Sequence, residues 1–354
     1  MAFTTLGIYF TLNTTMSAPL AINISAAVSF DNKVAGHDGV LQDPSGAVVI
    51  KPAAELEIEF YESLILHRSF ASVAPKFYGV LELNEQSAIT EASGEVHRTT
   101  GADRAIVLEN VAAGFVKPSV IDVKLGRQLW DEQASIEKRK RLDDVAAKTT
   151  SGSLCMRIAG MKTWDQDKED YVVYDKYYGR SFDIKTVKEG IDTFIVKALG
   201  TDRRKEVIRR IITGISRIAE ALEKEESRMY SASILAVYES DPIAIDEALK
   251  EERERPKRSH DDYDESEEEF EEMVSETVEI NGQIVEQVSM FSAGDIVVGE
   301  DEDEDEDADE KSVCRVKLID FAHATWTPGE GIDTNALEGV YNLRRLFDEL
   351  LSAL

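Results

Sequence analysis

Short apolar segments in the first third of the chain predict a small antiparallel sheet with one helix. Residues 46–51, 77–83 and 105–111 have the apolar character of strands. Between the first two, residues 53–68 carry apolar side chains at helical spacing, with acidic residues in the first turns, where the helix dipole favours them. We therefore predict a small lobe over residues 31–114 and a poorly ordered extension over residues 1–30.

A second, larger pattern of strands and helices follows over residues 115–354. Strands are predicted at 118–126, 154–161, 171–177, 233–238 and 316–321, and helices at 127–148, 184–198, 205–229 and 339–354. The segment Thr149–Gly152 should end the first of these helices, because glycine commonly follows a last helical turn. The two patterns together indicate an α+β protein with an antiparallel small lobe and a larger α/β lobe.

Negative charge is concentrated in one segment of the chain. Residues 261–310 contain 23 acidic and no basic residues, so they account for 23 of the 29 net negative charges. A segment of this composition buries too little apolar surface to fold, and residues 251–311 are therefore predicted to be an acidic disordered linker. Within it, Thr277–Val285 alternates around an Asn-Gly turn, which predicts a local hairpin.

Cysteine content and hydropathy limit the cellular setting. The chain has only two cysteines, Cys155 and Cys314, which excludes a disulfide framework and a Cys/His metal cluster and favours a reducing compartment. No apolar window has the length of a transmembrane helix. The uncharged N-terminus lacks the basic residues of a signal peptide or presequence, and Met16 is a second candidate start.

Asp122 and Lys124 lie two residues apart in an otherwise apolar segment, so on a strand both side chains leave the same face. A fixed carboxylate beside a mobile ammonium group suits phosphoryl transfer. The same short pattern is also typical of a surface ion pair on an edge strand. The rest of the chain has to distinguish these interpretations.

Three further features have the spacing of a nucleotide site. Lys51 ends a strand of the small lobe, Leu108–Val111 would connect the lobes, and Asp320 ends an apolar strand of the large lobe. A lysine neutralises phosphates, exposed backbone groups recognise adenine, and Mg²⁺ needs only one or two protein carboxylates. The chain has neither a P-loop nor a Gly-x-Gly-x-x-Gly motif, so the layout favours a two-lobed kinase.

The predicted helix 127–148 carries a basic face. Lys138, Arg141 and Lys148 share this face, Lys124 precedes it, and Lys176 follows on a predicted strand. Such a cluster suits a compact, highly anionic small molecule. A solvated helix face paired with neighbouring carboxylates explains the pattern equally well when the helix is taken alone. Direct nucleic-acid binding is disfavoured, because no aromatic residues interleave the cations and the overall charge is negative.

In this order, the motifs resemble those of the inositol polyphosphate kinases. The signature is Pro118-x-x-x-Asp122-x-Lys124-x-Gly126. Further matching segments are Val34–His37, Leu56–Tyr61, Leu108–Asn110, Ala134–Lys138, Ser151–Leu154, Tyr178–Arg180, Ser231–Leu235 and Ile319–His323. Within the family the chain is most similar to the fungal multikinases, with which it shares its compact size and the acidic insertion before the Ile319-Asp-Phe strand.

The resemblance implies a two-lobed, protein-kinase-like fold with an inositol-phosphate-binding insertion at 127–165. ATP would lie between the lobes, with Lys51 on its phosphates, Glu109 and Val111 on the adenine, and Asp122 at the ribose and the mouth of the site. Asp320 would bind Mg²⁺, with Ser233 as a second metal or phosphate contact. Lys124 would contact both the γ-phosphate and the inositol substrate. The substrate phosphates would be held by Lys124, Lys138, Arg141, Lys176 and His323.

The activity that this resemblance implies is ATP-dependent phosphorylation of inositol tris- and tetrakisphosphates, at the 6- and 3-hydroxyls, toward the pentakisphosphate. An inositol hexakisphosphate kinase that makes pyrophosphates carries the same signature and remains an alternative. A different class of function is a nuclear scaffold whose acidic segment recruits basic proteins such as transcription factors. Both functions are compatible with a protein of the nucleus and cytoplasm.

Overall fold

The structure is a computed structural model that describes residues 27–30, 39–82, 104–254, 276–280, 283–287 and 312–354. Most of the predicted N-terminal extension and of the acidic linker lie outside these described residues. The described residues of both lobes belong to one compact unit, Asn23–Arg253 with Lys311–Leu354. Among the described residues, no helix combines the length and apolarity needed to cross a membrane.

The small lobe is a five-stranded antiparallel sheet in the order β1-β2-β3-β5-β4. Its elements are β1 (Val28–Ser29), β2 (Leu41–Gln42), β3 (Val48–Pro52), α1 (Glu55–Ser63), α2 (Arg68–Ala71), β4 (Phe77–Glu82) and β5 (Arg104–Glu109). A 3₁₀ turn over Leu64–Leu66 divides the single predicted helix into α1 and α2. The sheet begins at Val28, inside the segment predicted to be a poorly ordered extension.

The large lobe is built around a second five-stranded antiparallel sheet, in the order β13-β10-β6-β7-β8. Its first elements are β6 (Pro118–Leu125), α3 (Ile136–Ala147), α4 (Thr150–Leu154), β7 (Met156–Asp165), β8 (Asp170–Tyr174), α5 (Lys176–Arg180), α6 (Val187–Phe194) and α7 (Gly200–Lys224). Next come β9 (Ser227–Met229), β10 (Ser233–Glu239) and α8 (Pro242–Glu254). After the hairpin of β11 (Glu276–Ile280) and β12 (Gln283–Gln287), the chain ends with β13 (Cys314–Ile319), β14 (Ala324–Trp326) and α9 (Thr334–Ala353).

The strand that carries Asp122 and Lys124 is the central strand of this sheet. β6 pairs with β10 on one side and with β7 on the other, and all of its residues except Lys124 are buried. The interpretation of Asp122 and Lys124 as an exposed pair on an edge strand is therefore wrong. A charged pair in the middle of a buried sheet needs a specific chemical reason.

The basic segment differs from its prediction at both ends. α3 begins only at Ile136, where the Ser135 hydroxyl accepts the Lys138 backbone N–H at 3.2 Å as an N-cap. Gly152 lies within α4 and does not follow the last turn of α3. A side chain at position 152 would collide with the Ala146 carbonyl of α3. Glycine at this position thus permits close packing of two helices and does not serve as a left-handed cap.

Other differences follow from local caps and from pairing between distant segments. Lys176 begins a helix and not the end of a strand, because the Asp175 carboxylate accepts the N–H groups of Tyr177 and Tyr178. The predicted helix 205–229 ends at Lys224, since Ser227–Met229 pairs with β14. α8 was not predicted and extends into the linker as far as Glu254. The predicted Asn-Gly hairpin is confirmed by the pairing of β11 with β12.

An aromatic cluster packs the two lobes against each other. Phe321 follows β13 and is fully buried, with its ring centroid 4.6 Å from that of Phe60 and 5.1 Å from that of Tyr61 on α1. Trp326 on β14 stacks on Phe60 at 4.7 Å and donates its indole N–H to the Ser63 hydroxyl at 2.8 Å. These contacts fix the segment after β13 against α1.

Truncation of Phe321 should therefore destabilise the whole unit. We expect Phe321→Ala to lower the free energy of unfolding by about 3–5 kcal/mol, through lost burial and the cavity left between the lobes. The measurement is equilibrium urea denaturation. Leu66→Ala, at a side chain that is 78% exposed, is the control and should change stability by no more than about 0.5 kcal/mol. A loss at Phe321 as small as that of the control would contradict the proposed lobe packing.

Candidate active site

Lys51 connects the two lobes through an ionic network. Its ammonium group lies 2.7 Å from Glu57 Oε1 on α1 and 2.9 Å from Asp320 Oδ1, just after β13. Burial alone lowers the pKa of Lys51, but the Asp320 and Glu57 carboxylates more than offset this effect, so the pKa lies above the ordinary lysine value. Lys51 is therefore a fixed cation in the ligand-free cleft, and Glu57 is a partner that the sequence did not identify.

Asp320 has an unusual backbone conformation at the centre of this network. Its φ of 69° lies in the left-handed region, which L-residues other than glycine rarely adopt. The Asp320 carboxylate also approaches Lys124, whose Nζ is 3.7 Å from Oδ2. Strain of this kind persists where surrounding contacts hold it, and it concentrates at functional sites.

Lys124 has a second backbone contact that fixes its ammonium group. Nζ donates a hydrogen bond to the Ser231 carbonyl at 2.6 Å. Ser231 itself has φ 60°, and its hydroxyl donates to the Leu129 carbonyl at 2.9 Å. The Lys124 ammonium group is thus held between the Ser231 carbonyl and the Asp320 carboxylate, two residues whose backbones have positive φ. Its side chain is still partly exposed.

Asp122 lies in the floor of the site, and the prediction that it lies at the mouth is wrong. It is only 3% exposed, and the Ser233 hydroxyl is a hydrogen-bonding neighbour of its carboxylate. Burial raises the pKa of Asp122 to about 6; Lys124 opposes this rise and Asp320 adds to it. A buried carboxylate with a raised pKa beside a cation is typical of a functional site.

Lys51, Asp122 and Asp320 share one cleft with the segment that joins the lobes, and Lys124 contacts this cleft through Asp320. The cleft is lined by Lys51, Tyr61, Glu109, Val111, Asp122 and Asp320, with apolar walls from Val40, Val49, Val120, Leu235, Val237 and Ile319. All five residues predicted to bind ATP are therefore brought together. The apolar walls fit a planar aromatic ring, and the charged end fits phosphates.

Some backbone groups of the segment that joins the lobes, Leu108–Val111, already form hydrogen bonds within the protein. The Glu109 N–H donates to the Lys76 carbonyl at 2.9 Å, and the Val111 carbonyl accepts from Arg315 Nη1 at 3.3 Å. Asn110 fixes the turn, with its side-chain amide bonded to the Gly46 carbonyl at 2.7 Å and its Oδ1 to the Ala112 N–H at 3.1 Å. The backbone of this segment is therefore held in one conformation.

The donor set at the phosphate end is suitable for Mg²⁺. Asp320 and Asp122 supply carboxylates in one cleft, and Mg²⁺ characteristically uses one or two carboxylates together with phosphate oxygens and waters. The predicted second contact, Ser233, is fully buried on β10, with its hydroxyl beside the Asp122 carboxylate. No cluster of three or more His, Cys, Asp or Glu residues that would form a self-sufficient metal site occurs among the described residues.

The predicted substrate residues lie on the large lobe outside the residues that line the cleft. Lys138 and Arg141 are on α3, Lys176 is in the first turn of α5, and none of the three forms an ion pair within the described ranges. His323 follows Asp320 and has a partner that was not predicted. Its Nδ1 is 2.5 Å from Asp131 Oδ2 in the loop before α3.

The Glu57 contact gives a direct test of the cleft. Glu57→Gln removes one of the two charges that hold Lys51, so Lys51 should move toward Asp320 and the Kd for ATP should rise about tenfold or more. The measurement is titration with a fluorescent ATP analogue. Glu59→Gln, on the exposed side of the same helix, should bind as wild type does. Wild-type affinity in Glu57→Gln would show that Lys51 does not need this partner.

Comparison with known proteins connects this geometry to a family. The family model described as "Inositol polyphosphate kinase" matches residues 105–348. The inositol polyphosphate multikinase of Saccharomyces cerevisiae is 30% identical, over 90% of this chain and 96% of the relative. That of Schizosaccharomyces pombe is 32% identical, over 59% of this chain and 78% of the relative.

A solved structure shows the same fold. The S. cerevisiae inositol phosphate multikinase in complex with ADP and Mn²⁺ has a TM-score of 0.60 and 28% identity, covering 86% of this chain and all of that one. This similarity confirms the two-lobed α+β prediction. The family match, the relatives and the shared fold all agree with the resemblance identified from the sequence motifs. The chain belongs to the inositol polyphosphate kinase family.

Proposed function

We propose that this protein is an ATP-dependent inositol polyphosphate multikinase, which transfers phosphate to inositol tris- and tetrakisphosphates at the 6- and 3-hydroxyls. The observation that carries the proposal is the meeting of Lys51, Asp122 and Asp320 in one cleft beside the segment that joins the lobes, with Lys124 Nζ 3.7 Å from Asp320 Oδ2. The yeast structure of the same fold is described as a complex with ADP and Mn²⁺. That description supports a nucleotide and a divalent metal in the same cleft here.

Nucleotide binding follows from the groups that are still available in the cleft. Because the Glu109 N–H and the Val111 carbonyl already form hydrogen bonds, we assign adenine recognition to the Glu109 carbonyl and the Val111 N–H. The apolar side chains of Val49 and Val237 would enclose the ring. Lys51 would hold the phosphates, and its ion pair with Glu57 keeps it in place.

Asp320 would bind Mg²⁺, with the nearby Asp122 carboxylate and Ser233 as additional contacts. When bound, the metal supplies positive charge against the phosphate oxygens. Asp320 itself is positioned before any ligand binds, because Lys51 holds its carboxylate at 2.9 Å. Preorganisation of this kind reduces the rearrangement needed during the reaction.

Phosphoryl transfer in this site depends mainly on position and charge. The transition state is loose, so the acceptor hydroxyl needs little deprotonation before attack. Lys124 extends from the sheet floor near Asp320, where it contributes positive charge at the junction of nucleotide and inositol phosphate. The Asp122 carboxylate, which lines the cleft, would accept a hydrogen bond from the ribose or the acceptor hydroxyl.

The substrate side of the site is cationic. Lys138 and Arg141 on α3 and Lys176 on α5 supply charges that lack ion-pair partners among the described residues. His323 would bind a substrate phosphate through Nε2, since Asp131 holds Nδ1. Together with Lys124, these residues would orient the inositol ring.

The second candidate function is that of an inositol hexakisphosphate kinase. The share of this chain that matches known relatives favours the multikinase over this candidate. The mouse inositol hexakisphosphate kinase 3 matches only 39% of this chain, whereas the yeast multikinase matches 90%.

The test is incubation of the purified protein with ATP and either inositol 1,4,5-trisphosphate or hexakisphosphate, with product analysis. We expect tetrakis- and pentakisphosphate from the first incubation. Products from the hexakisphosphate alone would overturn the multikinase assignment.

We also propose that this protein is located in the nucleus and the cytoplasm, and that its acidic segment has a second role. Residues 261–310 carry 23 acidic and no basic residues, which suits recruitment of basic nuclear proteins such as transcription factors. A Lys124→Ala protein that keeps the acidic segment separates this role from catalysis. If the variant supports none of the nuclear phenotypes of the wild type, the proposal of recruitment without catalysis is wrong.

The charged pair on β6 gives the clearest catalytic prediction. We expect Asp122→Ala and Lys124→Ala each to reduce kcat by about 10³-fold or more with little effect on far-UV circular dichroism, because each removes a charge at the point of transfer. Turnover is measured with inositol trisphosphate at saturating ATP. Turnover near that of wild type in either variant would contradict the assignment of the cleft.

Deletion of the acidic segment should leave catalysis intact. None of the residues that line the cleft comes from 261–310, and the acidic composition of this segment is typical of a solvated connection. We therefore expect the deletion to keep kcat/KM within about threefold of wild type, as for removal of a surface connection. Loss of activity in the purified, folded deletion protein would show that the segment contributes to the active unit.

A further inference from the structure

The helix α3, which carries Lys138 and Arg141, buries very little of its own surface. Of its 12 residues only Ala146, in the last turn, is buried. Most helices in proteins are held in place by the packing of an apolar face against a core, and α3 lacks a face of this size. Polar contacts outside the core must therefore fix the direction in which this helix points.

Trp130, in the loop before α3, contacts the helix at two points. Its indole N–H donates a hydrogen bond to Asp143 Oδ1 at 2.6 Å, and the Arg139 guanidinium lies over its ring at 4.6 Å from the centroid. Arg139 and Asp143 are four residues apart, so they lie on one face of α3. The indole therefore bridges one turn of the helix, through a hydrogen bond to a carboxylate and a cation–π contact.

Arg139 also binds the loop itself. Its Nε donates to the Ala134 carbonyl at 2.9 Å, and its Nη2 donates to the Glu132 carbonyl. We refer to Trp130, Arg139 and Asp143 as the Trp130 brace. Because the brace joins the middle of α3 to the loop that precedes it, the helix cannot rotate or tilt without breaking these contacts.

The same loop is anchored to the floor of the active site. Leu129, next to Trp130, is buried, and its carbonyl accepts the Ser231 hydroxyl at 2.9 Å. The Ser231 carbonyl in turn accepts a hydrogen bond from Lys124 Nζ at 2.6 Å. A short series of contacts thus leads from Lys124 through Ser231 and Leu129 to Trp130, and it sets the position of α3 relative to the lysine at the transfer point.

We propose that Trp130 is a positioning residue, which holds α3 at the distance from Lys124 that binding of the inositol substrate requires. The inference rests on the proposed function, in which Lys138 and Arg141 bind substrate phosphates; neither side chain is part of the brace. An inositol ring held in one position presents one hydroxyl to the γ-phosphate, and a misplacement of about 1 Å reduces turnover strongly. The Trp130 brace therefore contributes both to the affinity for inositol phosphate and to the choice of hydroxyl.

The test compares Trp130→Phe with Trp130→Ala. The first variant keeps a ring for Arg139 and loses the N–H, and the second loses both contacts. We expect the KM for inositol trisphosphate to rise about 3- to 10-fold in Trp130→Phe and further in Trp130→Ala, with the KM for ATP within about twofold of wild type. The ratio of the tetrakisphosphate isomers formed should also shift. A role in stability alone would lower the melting temperature and leave the KM values and the isomer ratio unchanged.

Substitutions of Asp143 separate the hydrogen bond from the charge. Asp143→Ala and Asp143→Asn both remove a negative charge near a polyanionic substrate, but asparagine keeps an oxygen that accepts the indole N–H. We expect the KM for inositol trisphosphate to rise in Asp143→Ala and to stay within about threefold of wild type in Asp143→Asn. Asp144→Ala, at the next and exposed position of α3, is the matched control for charge and should not raise the KM.

An unchanged KM and isomer ratio in both Trp130 variants would overturn the proposal, and so would a KM in Asp143→Asn as high as that in Asp143→Ala. If the wild type does not phosphorylate inositol trisphosphate, the proposed function fails. The brace is then judged separately, by hydrogen exchange in the ligand-free protein. The amides of α3 should exchange faster in Trp130→Ala than in wild type, whereas those of β6 should not. Equal exchange of the α3 amides in both proteins would overturn the brace.

Discussion

The ammonium group of Lys51 lies between two carboxylates that come from different parts of the fold. Glu57 is on a helix of the small lobe, and Asp320 follows a strand of the large lobe, so one side chain fixes both elements at 2.7 and 2.9 Å. The next residue after Asp320, Phe321, is buried against the helix that carries Glu57. Ionic and aromatic contacts therefore hold the strained Asp320 backbone in one place, and the remaining site residues are arranged around it.

Charge is distributed unequally along the site. At the nucleotide end three carboxylates, Glu57, Asp122 and Asp320, face the two ammonium groups of Lys51 and Lys124. That end therefore favours a divalent cation together with the nucleotide phosphates. The far end carries the cations of the proposed substrate site and attracts a polyanion. This polarity directs metal-bound nucleotide and inositol phosphate to opposite sides of Lys124.

The strands of the site were predictable, because alternation and apolar runs directly determine which face a side chain occupies. Asp122, Lys124, Lys51 and Asp320 were all assigned to one cleft from local patterns and their order in the chain. Contacts between distant segments were not predictable: the approach of Glu57 to Lys51 and of Asp131 to His323 depends on tertiary packing. Lys176 and Gly152 were misplaced for local reasons, since a side-chain cap and a helix crossing override the apparent pattern.

A crystal structure with a non-hydrolysable ATP analogue, Mg²⁺ and inositol trisphosphate tests most directly whether one cleft joins the two substrates. We predict that the γ-phosphate lies between the metal on Asp320 and the Lys124 ammonium group. The inositol ring should lie on the side of Lys124 that faces the cationic groups of the large lobe. A nucleotide bound outside the cleft, or an inositol phosphate that makes no contact with Lys124, would contradict this assignment.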